Sequence, residues 1–289
     1  MIVFIHTEEH AYTHHCLVGA DPDLKFDFLH YSALAHLRSL PRATYIFTDL
    51  DRLPTQTLRL AATLYRQLRD RGIKVLNDPA KVLSRSGLLR ALFLKGINRF
   101  DAYRVEEGRT PKRWPVFLRT DGEHVGPIAT LYERAEDLEQ GIANAVSEGL
   151  PKSRLLIVEY MAEPVRPGLF RKLSGFRIAS TSVPYTCVHD TSWIAKQGQL
   201  GITPPELYQQ ELDIVRSDPY GPKLAEGFDL AGLDYGRADF GLVDGQIQIY
   251  EINSNPVLHL EANHPSLVRL ESYRVFKRNY LAALRKIDS

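Results

Sequence analysis

The sequence is poor in cysteine, in net charge and in long apolar runs, and each shortage excludes a class of protein. Two cysteines, Cys16 and Cys187, are too few for a disulfide framework, which favours a reducing compartment. A formal net charge of +1 gives no overall attraction to nucleic acid or to an anionic membrane. No apolar stretch approaches the ~20 residues that span a bilayer, and the opening MIVFIHTEEH lacks the basic leader of a signal peptide. We therefore expect a cytoplasmic protein that acts on small molecules, with no nucleic-acid or membrane partner.

Several common site motifs are absent as well. The sequence has no Walker loop, no Gly-x-Gly-x-x-Gly fingerprint and no nucleophile elbow, which argues against a P-loop or Rossmann nucleotide site. What the chain does have is a globular composition, 44% apolar and 25% charged, in 289 residues. That length is enough for two or three lobes, each with its own core. The oligomeric state stays open.

The first part of the chain has the pattern of a small α/β lobe. Continuous apolar runs, typical of strands buried on both faces, occur at 1–5, 43–50 and 73–78. Between the last two, apolar residues at helical spacing begin after Pro54 and end at Gly72. A strand, a helix and a strand in succession imply a right-handed crossover and a parallel sheet. Residues 1–78 are therefore predicted to form one domain.

The remainder of the chain reads as mixed helix and strand. A strand, a turn and a strand are predicted over 114–132, a buried strand over 154–161 and short strands between 170 and 195. Helices are predicted at 85–97, 134–149, 208–217, 221–232 and 265–287. The fold class is therefore α/β (α+β).

The stretch GRADFGLVDGQIQIYEINSNP, residues 236–256, is predicted to form a β-hairpin with polar side chains in unusual places. Asp239 and Glu251 share a face of the hairpin only if the loop has an odd number of residues or a bulge changes the count. We predict a three-residue loop, 243–245, with Gly245 in the left-handed conformation. Alternation along the strands then places Arg237 and Asn253 on the same face.

Two carboxylates and one amide oxygen form a hard, all-oxygen ligand set. Such a set suits Mg²⁺, which takes one or two carboxylates and completes its octahedron with water and phosphate oxygens. The alternative is a solvated strand end followed by a turn formed by NSNP. The residues of the hairpin alone leave both interpretations open.

The hairpin resembles the closing motif of the ATP-grasp superfamily, in which an Arg-x-Asp strand leads through a hairpin to Glu-x-Asn-x-x-Pro. The resemblance, which is to the glutathione synthetase-like, carboxylate–amine ligase type, implies that Asp239, Glu251 and Asn253 bind Mg²⁺ or Mn²⁺. It also implies a catalytic role for Arg237, which would hold the negative charge that develops on the acyl group. LNDP, at 76–79, is similar to the junction that ends the opening lobe of the family.

The resemblance implies an ATP-grasp fold, with a pre-ATP-grasp lobe and two α+β lobes that sandwich ATP. On this alignment the domains are 1–78, 79–160 and 161–289. Where the family usually has two phosphate-binding lysines, this chain offers Arg85 and Arg119, which keep the charge but not the ammonium geometry.

Other positions match the nucleotide-binding elements of the family. Glu159, Tyr160 and Met161 end the strand whose backbone meets the adenine edge, and Glu163 is the candidate for the ribose hydroxyls. Lys172 and Lys196 are candidates for phosphate contacts. For each of these residues the alternative is an ordinary buried strand or a solvated charge.

The resemblance implies an ATP- and Mg²⁺-dependent ligase that joins a small carboxylate to an amine through an acyl phosphate. A small-molecule kinase with the same ATP site and a catalytically silent nucleotide-binding protein are the alternatives. The three metal-binding residue types argue against the silent protein, whereas the replaced lysines favour it.

Two further clusters stay unassigned. His6, His10 and His14 would share one face if this stretch is helical, and histidines so placed could bind zinc. The alternatives are a loop that contacts substrate and plain surface histidines. Asp51 follows a predicted strand, and we expect it to cap the next helix or to contribute to binding.

Overall fold

The computed structural model describes residues 1–34, 36, 39–122, 131–196 and 198–288. The strands are β1 (Ile2–His6), β2 (Phe26–His30), β3 (Thr44–Phe47), β4 (Val75–Leu76), β5 (Ala102–Arg104), β6 (Val116–Thr120), β7 (Leu155–Glu159), β8 (Pro164–Arg166), β9 (Leu169–Ile178), β10 (Thr181–Pro184), β11 (Val188–Asp190), β12 (Tyr235–Val243) and β13 (Gln246–Asn253). The α-helices are α1 (Thr55–Asp70), α2 (Arg85–Leu94), α3 (Ala135–Ser147), α4 (Pro205–Ser217), α5 (Gly221–Ala231) and α6 (Leu267–Ile287). Short 3-10 helices cover Glu8–Leu17, Tyr31–Ala33, Leu50–Arg52, Val105–Glu107 and Lys152–Arg154. Within these residues, no helix combines the length and the apolar content needed to cross a membrane.

The opening lobe contains the predicted parallel sheet. Its strand order is β2-β1-β3-β4, and all three pairings are parallel. β1 and β3 are buried along their whole length, as the apolar runs predicted. β2 was not predicted, because its sequence FDFLH has no continuous apolar run and its side chains are only partly buried at the sheet edge.

Two antiparallel sheets follow. A small sheet of order β5-β7-β6 comes first, and a larger one of order β10-β9-β12-β13 follows, with β8 and β11 also pairing with β9. α4 and α6 pack against each other beside the larger sheet. The mixed α/β fold class is therefore confirmed, whereas the three domains 1–78, 79–160 and 161–289 stay a prediction.

One hydrophobic core joins the three sheets. It contains Val3 and Phe47 of the opening sheet, Leu89 of α2, Val158 of β7 and Phe240 of β12, each of them buried. Because α2 packs on both β5 and β13, it holds the small sheet against the closing hairpin.

A buried asparagine ties the opening sheet to the start of the hairpin. The Asn77 side-chain amide donates to the carbonyls of Phe47 and Tyr235, both at 2.9 Å. Its oxygen accepts from the amides of Asp234 and Tyr235, both at 2.8 Å. The backbone of Asn77 is left-handed, with φ of 64°, a conformation that asparagine tolerates better than most residues.

Candidate active site

The closing hairpin places its two carboxylates opposite each other, by a different route from the one we predicted. Val243 pairs with Gln246, so the turn has two residues, and the predicted three-residue loop is wrong. The turn residues 244 and 245 have φ of 50° and 72°, as a type I′ turn requires. The register then shifts by one residue after Asp239, so that Asp239 faces Glu251 across the two strands. The extra residue of this bulge, and not a third loop residue, places the two carboxylates on the same face of the hairpin.

Asp239 is buried within a set of donors. Arg237 Nε donates to its Oδ1 at 2.9 Å and Ser174 Oγ donates to the same oxygen at 2.9 Å. Lys172 Nζ lies 3.3 Å from Oδ2. Burial opposes ionisation of this carboxyl, but the charges of Arg237 and Lys172 outweigh it and lower the pKa to about 2. Asp239 is therefore a carboxylate at any physiological pH.

Glu251 is paired with the two arginines that replace the expected lysines. Arg85 Nη2 lies 3.1 Å from Glu251 Oε2, and Arg119 Nη2 lies 3.5 Å from it. Burial, and then the neighbouring charge of Arg85, lower the pKa of Arg119 to about 10, so this guanidinium stays charged at neutral pH. Four cationic side chains thus converge on two carboxylates.

Arg119, Lys172, Asp239 and Glu251 face a cavity between the small sheet and the hairpin. One part of its wall is apolar, formed by Leu89, Phe100, Phe117, Val158, Met161, Trp193 and Ile194. The other part is charged, formed by Arg119, Glu159, Glu163, Arg171, Lys172, Lys196, Asp239 and Glu251. The Trp193 ring packs against Phe117 and Tyr160, with ring centroids 4.9 and 5.4 Å apart. The cavity therefore suits a ligand with a flat apolar end and an anionic end.

The strand end at 159–161 forms one wall of this cavity. Some of its polar groups are already hydrogen-bonded, whereas one backbone amide is not bonded to any described residue. The Glu159 carboxylate is buried and accepts from Tyr103 Oη at 2.8 Å and from the amides of Asp101, Lys112 and Arg113. These bonds tie the strand end to the loop at 112–113, and the nucleotide-binding role of Glu159 stays a prediction. The Met161 amide donates to no other described residue, whereas the Met161 carbonyl accepts from Tyr250 Oη at 3.0 Å.

Three predicted site residues, Arg85, Arg237 and Asn253, are not among the described residues that line the cavity. Arg237 donates to Asp239 and to the Val257 carbonyl, the latter at 3.1 Å. Burial lowers the pKa of Arg237, but the neighbouring Asp239 and Tyr185 outweigh burial and raise it. Asn253 pairs with Arg237 across the strands, and its Oδ1 accepts from the Asn255 amide at 2.8 Å. Asn253 therefore helps to form the turn of the NSNP segment, and its metal role stays a prediction.

Sequence reasoning missed several contributors to the site, among them Ser174, Trp193 and Tyr250. Tyr250 is the extra residue of the bulge, and its ring passes over Gly241 of the facing strand. A Cβ at Gly241 would lie 2.2 Å from Tyr250 Oη. The glycine in DFGLV was the one available signal, because an isolated glycine within a strand often marks a bulge or a close approach.

The remaining candidates are placed elsewhere. His6 ends β1 and His10 and His14 lie in a kinked 3-10 helix, so the condition for a shared helical face is not met. Among the described residues, no three His, Cys, Asp or Glu side chains come together as a metal-binding group, which leaves the zinc alternative unsupported. The α1 helix is preceded by Pro54 and has no side-chain cap, so the capping role predicted for Asp51 is also wrong. Glu163 accepts from the Asp244 amide at 2.8 Å, at the rim of the cavity.

Similarity to known proteins is found in three-dimensional structure. No protein-family model matches the sequence, and no curated protein matches it either. Solved structures match along almost the whole chain. D-alanine–D-alanine ligase from Bacillus anthracis, in complex with ATP, is 11% identical with a TM-score of 0.55, and the match covers 99% of this chain and 98% of that one.

Two other solved structures give the same result. VanG D-Ala:D-Ser ligase from Enterococcus faecalis is 12% identical with a TM-score of 0.56, over 99% of this chain and 98% of that one. The ATP-grasp ligase PsnB, complexed with a minimal precursor, is 11% identical with a TM-score of 0.53, over 98% of each chain. At these identities the match concerns the fold. The chain has the fold of the ATP-grasp ligases.

Proposed function

We propose that the protein is an ATP- and Mg²⁺-dependent ligase that joins a small-molecule carboxylate to an amine. The observation that carries this proposal is the pair of opposed carboxylates, Asp239 and Glu251, at the charged wall of a cavity whose other wall is apolar. A nucleoside triphosphate has the matching shape, with a flat base at one end and anionic phosphates at the other. The ligase fold of the three similar structures supports the same activity.

The nucleobase would lie against the apolar wall. Phe117 and Trp193 offer it flat apolar contacts, and the Met161 amide, which donates to no other described residue, would donate to a ring nitrogen. Glu163, which lines the cavity, would accept from the ribose hydroxyls. Arg119, Lys172 and Lys196 would then hold the phosphates, and a guanidinium fork suits phosphate oxygens as well as an ammonium does.

The residues present fit a magnesium ion. Asp239 is ionised, its Oδ2 has only long contacts to cations, and Glu251 faces it from the other strand. Asp239 and Glu251 would hold the ion, with Asn253 as the proposed third ligand, because hard oxygen donors suit Mg²⁺. When bound, the ion neutralises phosphate charge during transfer.

The proposed reaction has two steps. An oxygen of the substrate carboxylate bonds to the γ-phosphorus, the bond to ADP breaks, and an acyl phosphate forms. The amine nitrogen then bonds to the acyl carbon, inorganic phosphate leaves, and the nitrogen loses a proton to give the amide. Arg237, held beside the site by Asp239, would stabilise the negative charge on the acyl oxygen.

The test is a screen of amino acids, peptides and sugar acids, alone and in pairs, for phosphate release from ATP, with mass analysis of the products. We expect release of phosphate together with a new amide. Glu251→Gln and Asp239→Asn should abolish the Mg²⁺-dependent turnover, whereas Asp244→Asn, at the exposed turn of the same hairpin, should retain it. A product that keeps the phosphate would identify a kinase instead, and near-normal turnover in both site variants would refute the metal assignment.

A further inference from the structure

The loop that follows β11, described at 191–196 and 198–199, supplies two of the residues assigned to the nucleotide. Residues 193–196 all line the nucleotide cavity, with Trp193 on its apolar wall and Lys196 on its charged wall. In an extended segment, consecutive side chains alternate between two faces, so four cavity-lining residues in a row require a turn. The contacts that hold this turn therefore place both residues at once.

The turn contains an alanine in an unfavourable backbone conformation. The Ala195 amide donates to the Ser192 carbonyl at 3.2 Å, which closes a tight turn over 192–195. Ala195 has a φ of 42° and is buried. The left-handed region is unfavourable for a residue that has a Cβ, and such a conformation persists only where surrounding contacts hold it. Contacts elsewhere in the loop are therefore needed to keep Ala195 in place.

Asp190 makes such contacts on both sides of the turn. It ends β11, where it lies opposite Phe170 of β9 in the strand register. Its Oδ1 accepts from the Ser192 amide at 3.0 Å, where the turn begins, and from Gln199 Nε2 at 3.0 Å, after the turn. One oxygen of a residue in the larger sheet thus binds the chain on either side of residues 193–196.

The end of the loop also packs on β11. Gln199 Nε2 donates to Thr191 Oγ1 at 2.9 Å, and the Gln199 amide donates to the His189 carbonyl at 3.0 Å. Gly198 has a φ of 79°, and a Cβ there would lie 3.2 Å from the His189 carbonyl oxygen. The chain therefore passes close to the strand that it left, and the loop begins and ends at the same place in the fold.

We propose that Asp190 is a positioning residue for the nucleotide. By joining the two ends of the loop, it holds Trp193 against the base and Lys196 at the phosphates together. This inference rests on the function proposed above, since it takes the cavity to be the nucleotide site. Asp190 is not among the described residues that line the cavity, so it acts on the nucleotide through the loop.

The test measures the affinity of the full chain for adenosine, tripolyphosphate and a non-hydrolysable ATP analogue by ligand-observed NMR. Trp193→Leu should weaken the binding of adenosine alone, and Lys196→Met should weaken the binding of tripolyphosphate alone. Asp190→Ala should weaken the binding of both partial ligands, because both ends of the turn lose their acceptor. We expect it to weaken the binding of the ATP analogue about tenfold, since the lost hydrogen bonds are to a charged group.

Three further variants separate the tie between the loop ends from other effects. In Asp190→Asn a side-chain oxygen still accepts from the same two groups, so most of the affinity for all three ligands should return. Gln199→Ala keeps the bond to Ser192 and should weaken both partial ligands by less than Asp190→Ala. Asp213→Ala is the matched control and should bind like the wild type, because Asp213 is exposed on α4 and accepts from Gln209 Nε2 at 3.0 Å.

Wild-type affinity for the ATP analogue in Asp190→Ala would overturn the proposal, and so would a loss confined to one of the two partial ligands. An equal loss in Asp190→Asn would overturn it as well, because the charge and not the tie would then matter. If Asp190→Ala does not fold, Gln199→Ala decides, and unchanged binding there contradicts the proposal. A wild type that binds no ATP analogue would refute the proposed nucleotide site itself, so the two failures are distinguishable.

Discussion

At the scale of single residues, the site is an arrangement of opposite charges held at short range. Asp239 is surrounded by Arg237, Lys172 and Ser174, and Glu251 by Arg85 and Arg119. Isolated charges in such a place would be costly, whereas paired and hydrogen-bonded ones are tolerated. Arg85 and Arg119 therefore balance the charge of Glu251 in this structure, and their phosphate contacts stay a prediction.

The low pKa of Asp239 predicts how stability depends on pH. A carboxyl whose pKa is lower in the folded chain contributes stability above its unfolded pKa near 3.8, and that contribution disappears as the pH falls toward about 2. The full contribution corresponds to about 2 kcal/mol. We expect Asp239→Asn to be less stable than the wild type at pH 6, and the difference to shrink below pH 4.

Urea unfolding of both chains between pH 6 and pH 3 measures this difference. Asp244→Asn is the matched control, because Asp244 is exposed at the turn of the same hairpin. A difference between Asp239→Asn and the wild type that stays constant down to pH 3 would contradict the assignment of the low pKa.

At the scale of elements, the bulged hairpin is the feature on which the site depends. In a regular strand Tyr250 and Glu251 would point to opposite faces, yet both line the cavity. The bulge allows Glu251 to face Asp239 while Tyr250 crosses Gly241 and reaches the Met161 carbonyl. One extra residue thus links the metal-binding hairpin to the wall of the nucleotide cavity.

Gly241→Ala tests this link. The new methyl group would collide with Tyr250 and displace its ring, which breaks the hydrogen bond to Met161. We expect ATP to bind about fivefold more weakly, the equivalent of ~1 kcal/mol for one lost hydrogen bond. Calorimetric titration with a non-hydrolysable ATP analogue measures the change.

The double variant Gly241→Ala/Tyr250→Leu removes the collision and is the control for the new methyl group itself. Its affinity should match that of Tyr250→Leu alone. An unchanged ATP affinity in Gly241→Ala would show that Tyr250 does not position the cavity wall.

The hairpin also shows how far sequence reasoning reached. The shared face of Asp239 and Glu251 followed from alternation and parity, and the register confirms that the two residues face each other. The route was wrong, because a bulge depends on Tyr250 packing over Gly241 and reaching Met161, which is 89 positions away in the chain. No local pattern contains such a contact. The buried strands β1 and β3 were predictable for the opposite reason, since their apolar runs are local.

At the scale of the whole molecule, the three sheets share one hydrophobic core, and Asn77 adds a polar junction between two of them. Its side chain makes four hydrogen bonds between the end of the opening sheet and the start of β12. From the family resemblance, Asn77 was expected only to lie in the segment that ends the opening lobe. Its bonding partners lie more than 150 positions away on one side, so the sequence alone could not show them.

Asn77→Gly tests the importance of this junction. Glycine accepts the left-handed backbone but has no side chain to bond. We expect the free energy of unfolding to fall by about 2–4 kcal/mol, because several buried groups lose their partners. Urea unfolding at pH 7 measures it, and a loss below about 0.5 kcal/mol, the usual range of a surface substitution, would show that other contacts hold the lobes.

The most direct test of the account is a titration of Mn²⁺ into the protein with a non-hydrolysable ATP analogue, followed by electron paramagnetic resonance. Asp239 and Glu251 should together hold the ion, so the wild type should bind Mn²⁺ only weakly without the nucleotide and tightly with it. Glu251→Gln should lose the tight binding, whereas Asp244→Asn should keep it. Tight, nucleotide-dependent Mn²⁺ binding that survives in both Glu251→Gln and Asp239→Asn would contradict the central claim.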